Sequence, residues 1–243
     1  MKEFKAILSE IENDNLSGSN TLADKLINIL STIATQLKSN DRQDIISGIN
    51  SFVRKKPFFG SIRHLLLKLE SNDNWAEALL EYKYVNEIAS QSIAQQFKSL
   101  IKHGLKTFLL HSNSKTVDTA FRELFSVGPD FKIFQTESNP KKEGIIQGNR
   151  LKDTGFDVTI VEDDPSISIL EQVDFLVTGA DLILENEFIN KTGTRLLALK
   201  ILALRKSFIV LADQRKFASV KPNSVPATFE FIPRNLITTL ISN

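Results

Sequence analysis

Cysteine is absent from the 243 residues, which removes disulfides, thiolate metal sites and thiol nucleophiles together. Histidine is nearly as scarce: three residues make a dedicated metal site unexpected, and neither a metal nor a cofactor is expected. Excess charge of either sign is missing too, with 30 Lys and Arg against 29 Asp and Glu for a formal charge of +1. No global basic field draws nucleic acid or an anionic membrane, so direct nucleic-acid binding is not expected. Long apolar runs are lacking. No segment approaches the ~18 uninterrupted apolar residues of a membrane span, and the charged opening MKEFKAILSEIENDN has no signal-peptide core. A soluble cytoplasmic protein is the expectation. Neither G-x-G-x-x-G nor G-x-x-x-x-G-K-[ST] occurs, which weakens dinucleotide and P-loop readings.

What is present is a 42% hydrophobic chain long enough to bury a sizeable core, and two domains are expected. Over the first hundred residues apolar side chains recur at helical spacing: Leu22, Leu26, Ile29, Leu30 and Ile33, then Ile62, Leu65, Leu66 and Leu69, then Val85, Ala89, Ile93 and Phe97. The turn Ser17-Gly18-Ser19-Asn20 is expected to cap a helix beginning near Thr21, and Lys55-Lys56-Pro57-Phe58-Phe59-Gly60 interrupts the pattern. Trp75 reads as a packing anchor between helices. After His103-Gly104 the period changes to short β-rich runs, Lys106–Leu110, Phe131–Gln135, Val158–Val161, Phe175–Thr178 and Ser207–Ala212. Helix-length segments near 115–125, 143–154, 165–172 and 193–205 separate them. The fold class is therefore α/β: an N-terminal helical domain over 1–103 and a doubly wound, Rossmann-like parallel-sheet domain over 104–243.

Open parallel sheets bind ligands beyond the carboxyl ends of their strands, where loops and helix N-termini converge. Each of the five runs ends in hydroxyls, amides or carboxylates: His111-Ser112-Asn113-Ser114, Thr136-Glu137-Ser138-Asn139, Asp163-Asp164, Gly179-Ala180-Asp181 and Asp213. Such a rim suits a phosphate- or sugar-bearing small molecule, with Asn113 and Glu137 among the candidate ligand contacts. Helix capping alone accounts for about half of these residues. In Asn190-Lys191-Thr192-Gly193-Thr194 a lysine and a glycine turn lead into a helix, which suits an anion; equally, Thr194 caps that helix.

The blocks LLHSNS (109–114), TESNP (136–140), VTGADLILENEFINKTGT (177–194) and SFIVLADQRKF (207–217) resemble the C-terminal domain of the translation initiation factor 2B α/β/δ-type subunits and their sugar-phosphate isomerase relatives. LSGSN (16–20) and KKPFFGSI (55–62) extend the resemblance more weakly into the helical half, and the chain ends soon after IPRNLIT (232–238), where the family usually extends further. One branch of the superfamily, the methylthioribose-1-phosphate and ribose-1,5-bisphosphate isomerases, converts an aldose phosphate to a ketose. The other consists of nonenzymatic subunits that regulate guanine-nucleotide exchange.

By resemblance, Asp181 matches the isomerase acid–base aspartate, Asn190 and Lys191 the substrate-binding pair, and Lys56 stands in for an arginine preceding the proline at Pro57; Gly193 joins the ligand contacts of the Asn190–Lys191 loop. Ser112 falls where the isomerases carry the catalytic cysteine, and Ser17 and Asn139 fall where they carry phosphate-binding arginines. A serine hydroxyl is far harder to ionise than a thiol near pKa 8.5, and lost guanidiniums are lost bidentate clamps. Asp181 is either catalytic or held for structure, and His111 either serves as a base or packs. The resemblance implies a noncatalytic regulatory or scaffold subunit with a residual sugar-phosphate or nucleotide pocket, assembling as a homodimer or with homologous initiation factor 2B-type subunits. The alternative is an aldose–ketose isomerase using Asp181 and Ser112.

Overall fold

The computed structural model describes residues 2–14, 16–101, 106–128 and 130–243. The domain boundary expected between His103 and Gly104 lies outside those residues. The first part folds as α1 (Lys2–Asn13), α2 (Ser19–Ile33), α3 (Ser39–Lys55), α4 (Gly60–Glu70) and α5 (Trp75–Leu100). The apolar periodicity explains their packing: Leu22, Leu26 and Leu30 of α2 meet Ile45, Ile49 and Phe52 of α3 and Ile62, Leu65 and Leu69 of α4 in one buried cluster. The break before α4 is where expected, because Pro57 cannot continue α3. The expected cap at Ser17–Asn20 is not found. Helix α2 starts at Ser19, with Gly18 at its cap position and no side-chain cap bond. Ser19 and Asn20 are instead buried, because their side chains reach across to the sheet. Trp75 opens α5, buried and donating from Nε1 to the Leu69 carbonyl at 3.0 Å.

At 26 residues, α5 is roughly 39 Å long and serves both halves. Leu79 and Tyr82 lie in the helical core, whereas Ile93, Ala94 and Phe97 lie against the sheet.

The second part runs β1 (Thr107–Leu110), α6 (Lys115–Phe125), β2 (Lys132–Thr136), α7 (Glu143–Thr154), β3 (Asp157–Val161), α8 (Ile167–Leu170), β4 (Phe175–Thr178), β5 (Leu182–Ile183), β6 (Glu187–Lys191), α9 (Thr194–Ala203), β7 (Ser207–Leu211), β8 (Phe229–Pro233) and β9 (Thr239–Ile241). Six strands make a parallel sheet in the order β3-β2-β1-β4-β7-β9. The chain moves outward from β1 to β3 and then returns to the other side of β1 at β4, so the order reverses between β1 and β4. Alternation along each strand feeds two cores: Phe108, Leu110, Val177 and Ile209 face α5 and α6, while Leu109, Leu176 and Val210 face α9.

All five expected strands are present. Two features go beyond the expectation: β9 extends the main sheet, and β5 and β6, between β4 and α9, form a separate antiparallel sheet with β8, which follows β7. The small sheet sits between the cores, with Leu182 and Ile189 packed on the helical cluster and Ile183 and Phe188 on the α9 side.

Gly144 seats α7 against the end of β2: a Cβ there would fall 2.0 Å from the Thr136 carbonyl oxygen. Gly144→Ala is expected to cost about 1–3 kcal/mol or more by overpacking, read as a shift in the denaturation midpoint. A change below about 0.5 kcal/mol, the usual scale of a surface substitution, would contradict this close approach.

Candidate functional site

At the reversal between β1 and β4 the loops 112–116 and 179–181 meet the start of α2 around a cavity of about 40 Å³. Ser112, Asp181, Asn190, Glu143 and Lys216 line it. It adjoins an open groove of about 920 Å³, with which it shares Leu16, Ser17, Asn113 and Lys115. The groove is larger; two of its cations are engaged, Lys115 with Asp24 and Arg150 with Asn113 Oδ1 at 2.7 Å and Asp118 at 3.4 Å, while Lys141 also lines it. The small cavity holds the unusual chemistry.

Asp181 follows β4 in a backbone clasp: its N–H donates to the Ile189 carbonyl at 2.9 Å and its carbonyl accepts from Gly60 N–H at 3.0 Å. Its Oδ1 lies 3.4 Å from the Ser19 N–H. Beside it is Lys216, which the sequence analysis did not single out. Its ammonium donates to the Ala180 carbonyl at 2.8 Å and to the Ser19 hydroxyl. Burial pushes the Lys216 pKa down, while Asp181 and Asp213 pull the other way. The available signal was its place just past the end of β7, three residues after Asp213.

Asp213 anchors this wall. Its carboxylate accepts from Arg215 Nε at 2.8 Å, Arg215 Nη2 at 3.0 Å and Asn20 Nδ2 at 2.9 Å. Burial would raise its pKa, but Arg215 holds it below the ordinary value. Asn20 also donates to Thr116 at 3.2 Å and accepts from Ser61, so one amide ties α2, α4, α6 and the end of β7 together.

Ser112 lines the cavity from a left-handed backbone conformation, φ 72°, and its N–H donates to the Ser138 hydroxyl at 2.8 Å. His111 is turned away. Its Nε2 lies 3.0 Å from the Thr192 carbonyl, which can only accept, so Nε2 carries the proton. Nδ1 then accepts from the Thr136 hydroxyl at 2.7 Å. Burial pushes the His111 pKa down to about 4, leaving a neutral packing residue.

The Asn190–Thr194 turn differs from the anion site expected there. Gly193 takes φ 102° and opens α9, but its N–H and that of Arg195 both donate to Glu230 Oε1 at 2.9 Å. A carboxylate of the protein therefore fills the helix N-terminus. Thr194 does not cap α9 either; it donates to the Lys191 carbonyl at 2.6 Å and accepts from Asn190 Nδ2 at 3.0 Å. Lys191 is not a free cation: it is buried against Glu143, with Nζ to Oε1 at 2.6 Å. Glu143, also missed by the sequence analysis, has a second oxygen with no hydrogen-bond partner, and burial pushes its pKa up against the pull of Lys191.

Three further candidates lie away from the small cavity's charged wall. Lys56 sits over Phe52 and Phe59 and donates to the Glu12 carbonyl at 2.8 Å, pinning the end of α1; burial lowers its pKa. Glu137 takes a hydrogen bond from Asn139 at 3.1 Å and pairs with Lys142 at 3.5 Å, outside both cavities. Asn113 bridges Arg150 and the Leu16 carbonyl, closing the 16–18 loop over the cavity. Of the other strand-end residues, Ser114 caps α6 and Asp163 accepts from Ser138 and Asn139 N–H groups at 2.6 Å each. Among the described residues no cluster of three or more His, Cys, Asp or Glu could hold a metal, and no helix is long and apolar enough to cross a membrane.

Because His111 is neutral in the fold with a pKa of about 4 against an unfolded value near 6.5, the unfolded chain binds the extra proton between those values. Its contribution is full above pH 6.5 and is lost as pH falls towards 4, up to about 3 kcal/mol. Denaturant melts across that window should flatten in His111→Asn; an unchanged slope would contradict the assignment.

A sequence model of the Initiation factor 2 subunit family matches residues 4–239. The ribose 1,5-bisphosphate isomerase of Methanocaldococcus jannaschii is 26% identical over 229 residues, covering 89% of this chain and 74% of that protein. The putative translation initiation factor eIF-2B subunit 2-like protein of Pyrococcus horikoshii is 28% identical over 216 residues, covering 87% and 78%. The crystal structure of translation initiation factor eIF-2B from Pyrococcus horikoshii aligns with a TM-score of 0.89 over 99% of this chain and 95% of that one; at 24% identity this is a likeness of fold. Proteins with isomerase names and proteins with initiation-factor names are thus both similar to it. With its helical first part, six-stranded parallel sheet and a match running from residue 4 to residue 239, this chain belongs to the Initiation factor 2 subunit family.

Proposed function

We propose that the chain is a noncatalytic regulatory or scaffold subunit of the translation initiation factor 2B type, which binds a sugar phosphate or nucleotide without converting it, the body of the ligand in the open groove and one end reaching into the small cavity that adjoins it. Binding is supported by a fully buried ammonium, Lys216, beside Asp181 and Asn190 at the switch point of a parallel sheet. The absence of turnover rests on one observation: His111, the sequence neighbour of Ser112, uses both ring nitrogens on Thr136 and Thr192. Aldose–ketose conversion requires a group that takes a proton from one carbon and returns it to its neighbour. Ser112 stands where the resembling isomerases have a cysteine, and among the described residues no imidazole is placed to activate it. Pairing with a second copy or with homologous subunits is part of the same proposal; Leu196 and Leu199 on α9, 45% and 47% exposed, are apolar candidates for that contact.

Glu143 favours a second function. A buried carboxyl with a raised pKa and one unpartnered oxygen, lining the same cavity as Asp181, has the character of a general acid–base group. Together the two carboxyls could serve an isomerase that dispenses with the cysteine.

Ribose 1,5-bisphosphate separates the two. Mixed with the purified protein at about 100-fold over its dissociation constant, it should stabilise the fold by about 2.7 kcal/mol, a rise of several degrees in melting temperature, with the sugar unconverted by NMR. Lys216→Met should abolish the rise. Conversion that disappears in both Asp181→Asn and Glu143→Gln would establish the isomerase instead, and neither stabilisation nor conversion would leave only a protein-binding subunit.

A further inference from the structure

The outer face of α5 is apolar where a solvated helix is polar. Leu80, Tyr84 and Ile88 follow one another at intervals of four residues and are 70%, 65% and 47% exposed, with Val85 beside them at 50%. Scattered exposed apolar residues are ordinary, but four within nine positions of one helix make a patch. The opposite face is already used: Leu79 and Tyr82 enter the helical core, and Ile93 and Phe97 enter the sheet core. Steps of four residues make a ridge that drifts slowly around the helix, the kind that packs against a like ridge at about −50°. The ridge stands between two clefts. One of about 180 Å³ lies towards α4 and is lined by Val85; the other, of about 420 Å³, lies towards α2 and α6 and is lined by Lys83 and Glu87.

We propose that this ridge is a contact between two copies of the chain, crossing antiparallel at Tyr84. Charge selects the partner. Among the described residues Lys83 and Glu87 have neither an ion pair nor a hydrogen bond, and both lie on the flank towards α2 and α6. On the other flank Glu81 already has Lys68 at 2.7 Å. When two copies cross antiparallel about a twofold axis, each flank meets its own counterpart. With Tyr84 at the centre, Glu87 of the second copy comes level with position 81, two residues or about 3 Å of helix rise from Lys83. The twofold repeats the contact, so both unpaired charges of each copy are matched. A parallel crossing would bring Lys83 to the flank of Glu81, whose charge is taken, and would leave Glu87 without a cation. One unpaired charge of each sign offers no field to a strongly acidic or basic partner; the surface complements itself. Four side chains a copy make a small contact, with a dissociation constant on the order of 10 µM. Because α5 and α9 cover opposite faces of the main sheet, this contact is separate from any made by Leu196 and Leu199.

Sedimentation of the intact chain from about 1 to 200 µM reads the contact. Leu196→Glu/Leu199→Glu removes the α9 contribution; this variant is expected to remain a reversible dimer and to become monomeric when Leu80→Glu/Tyr84→Glu is added. Leu80 and Tyr84 are exposed, so the melting temperature should hold. In the otherwise unmodified chain, Lys83→Glu should weaken association by about tenfold or more, by setting like charges opposite each other. Adding Glu87→Lys should restore it, because the exchanged pair is again complementary. This rescue requires no change at α9 and therefore stands even if the α9 substitutions unfold the chain. A monomer throughout the range in the α9 variant, association indifferent to Leu80→Glu/Tyr84→Glu, or a double charge reversal no better than the single one would overturn the assignment.

Discussion

Both carboxylate oxygens of Asp213 are engaged at the end of β7, by the Arg215 guanidinium and by the Asn20 amide of α2. A buried pair of this kind need not add net stability, because removing two charges from water costs about as much as their attraction returns. Its effect is on geometry. The placement of α2 on the sheet satisfies Asp213, Asn20, Ser61 and Thr116 together, and it sets Ser19 against Lys216 and Asp181. The cavity is thus a product of how the helical part docks. Removing one partner alone would strand a buried charge, which is typically a loss of about 3–5 kcal/mol.

Charge in this region is closely matched. Lys216 faces Asp181 and Asp213, Lys191 faces Glu143, and the start of α9 faces Glu230. A ligand phosphate would meet one deeply buried ammonium rather than an array of guanidiniums, since Ser17 and Asn139 supply none. In a bisphosphate one phosphate would meet this ammonium and the other would lie towards the open groove that adjoins the cavity. The neutral His111 beneath the cavity fits the same picture: it holds β1, β2 and the Thr192 turn together, with both ring nitrogens engaged away from Ser112.

The parts of this architecture that were legible in the sequence are those written in local pattern. Runs such as Phe208-Ile209-Val210-Leu211 announce a strand buried on both faces, and the alternation with helices announces a parallel sheet. Knowing where strands end was enough to place Ser112 and Asp181 on one cavity. The small sheet was not legible, because β5 has two residues and β6 reads Glu-Phe-Ile-Asn-Lys, with pairing that depends on β8 some forty positions later. Lys191 looked like a free cation because its partner, Glu143, lies on another helix, and the α9 N-terminus looked open because Glu230 is distant in sequence. Lys216 was inconspicuous for a related reason: its neighbours Ser19 and Ala180 come from both halves of the chain. The missed features are non-local pairings of polar groups, which carry no periodicity.

On the proposed function, docking through Asp213 builds a cavity in which Lys216 holds a phosphorylated ligand that is left unchanged. A crystal structure of the protein soaked with ribose 1,5-bisphosphate tests it most directly. The account predicts a phosphate oxygen within hydrogen-bond distance of Lys216 Nζ and an intact aldose beside Asp181 and Asn190. A ketose in that density, or a phosphate bound elsewhere with the cavity closed, would contradict it.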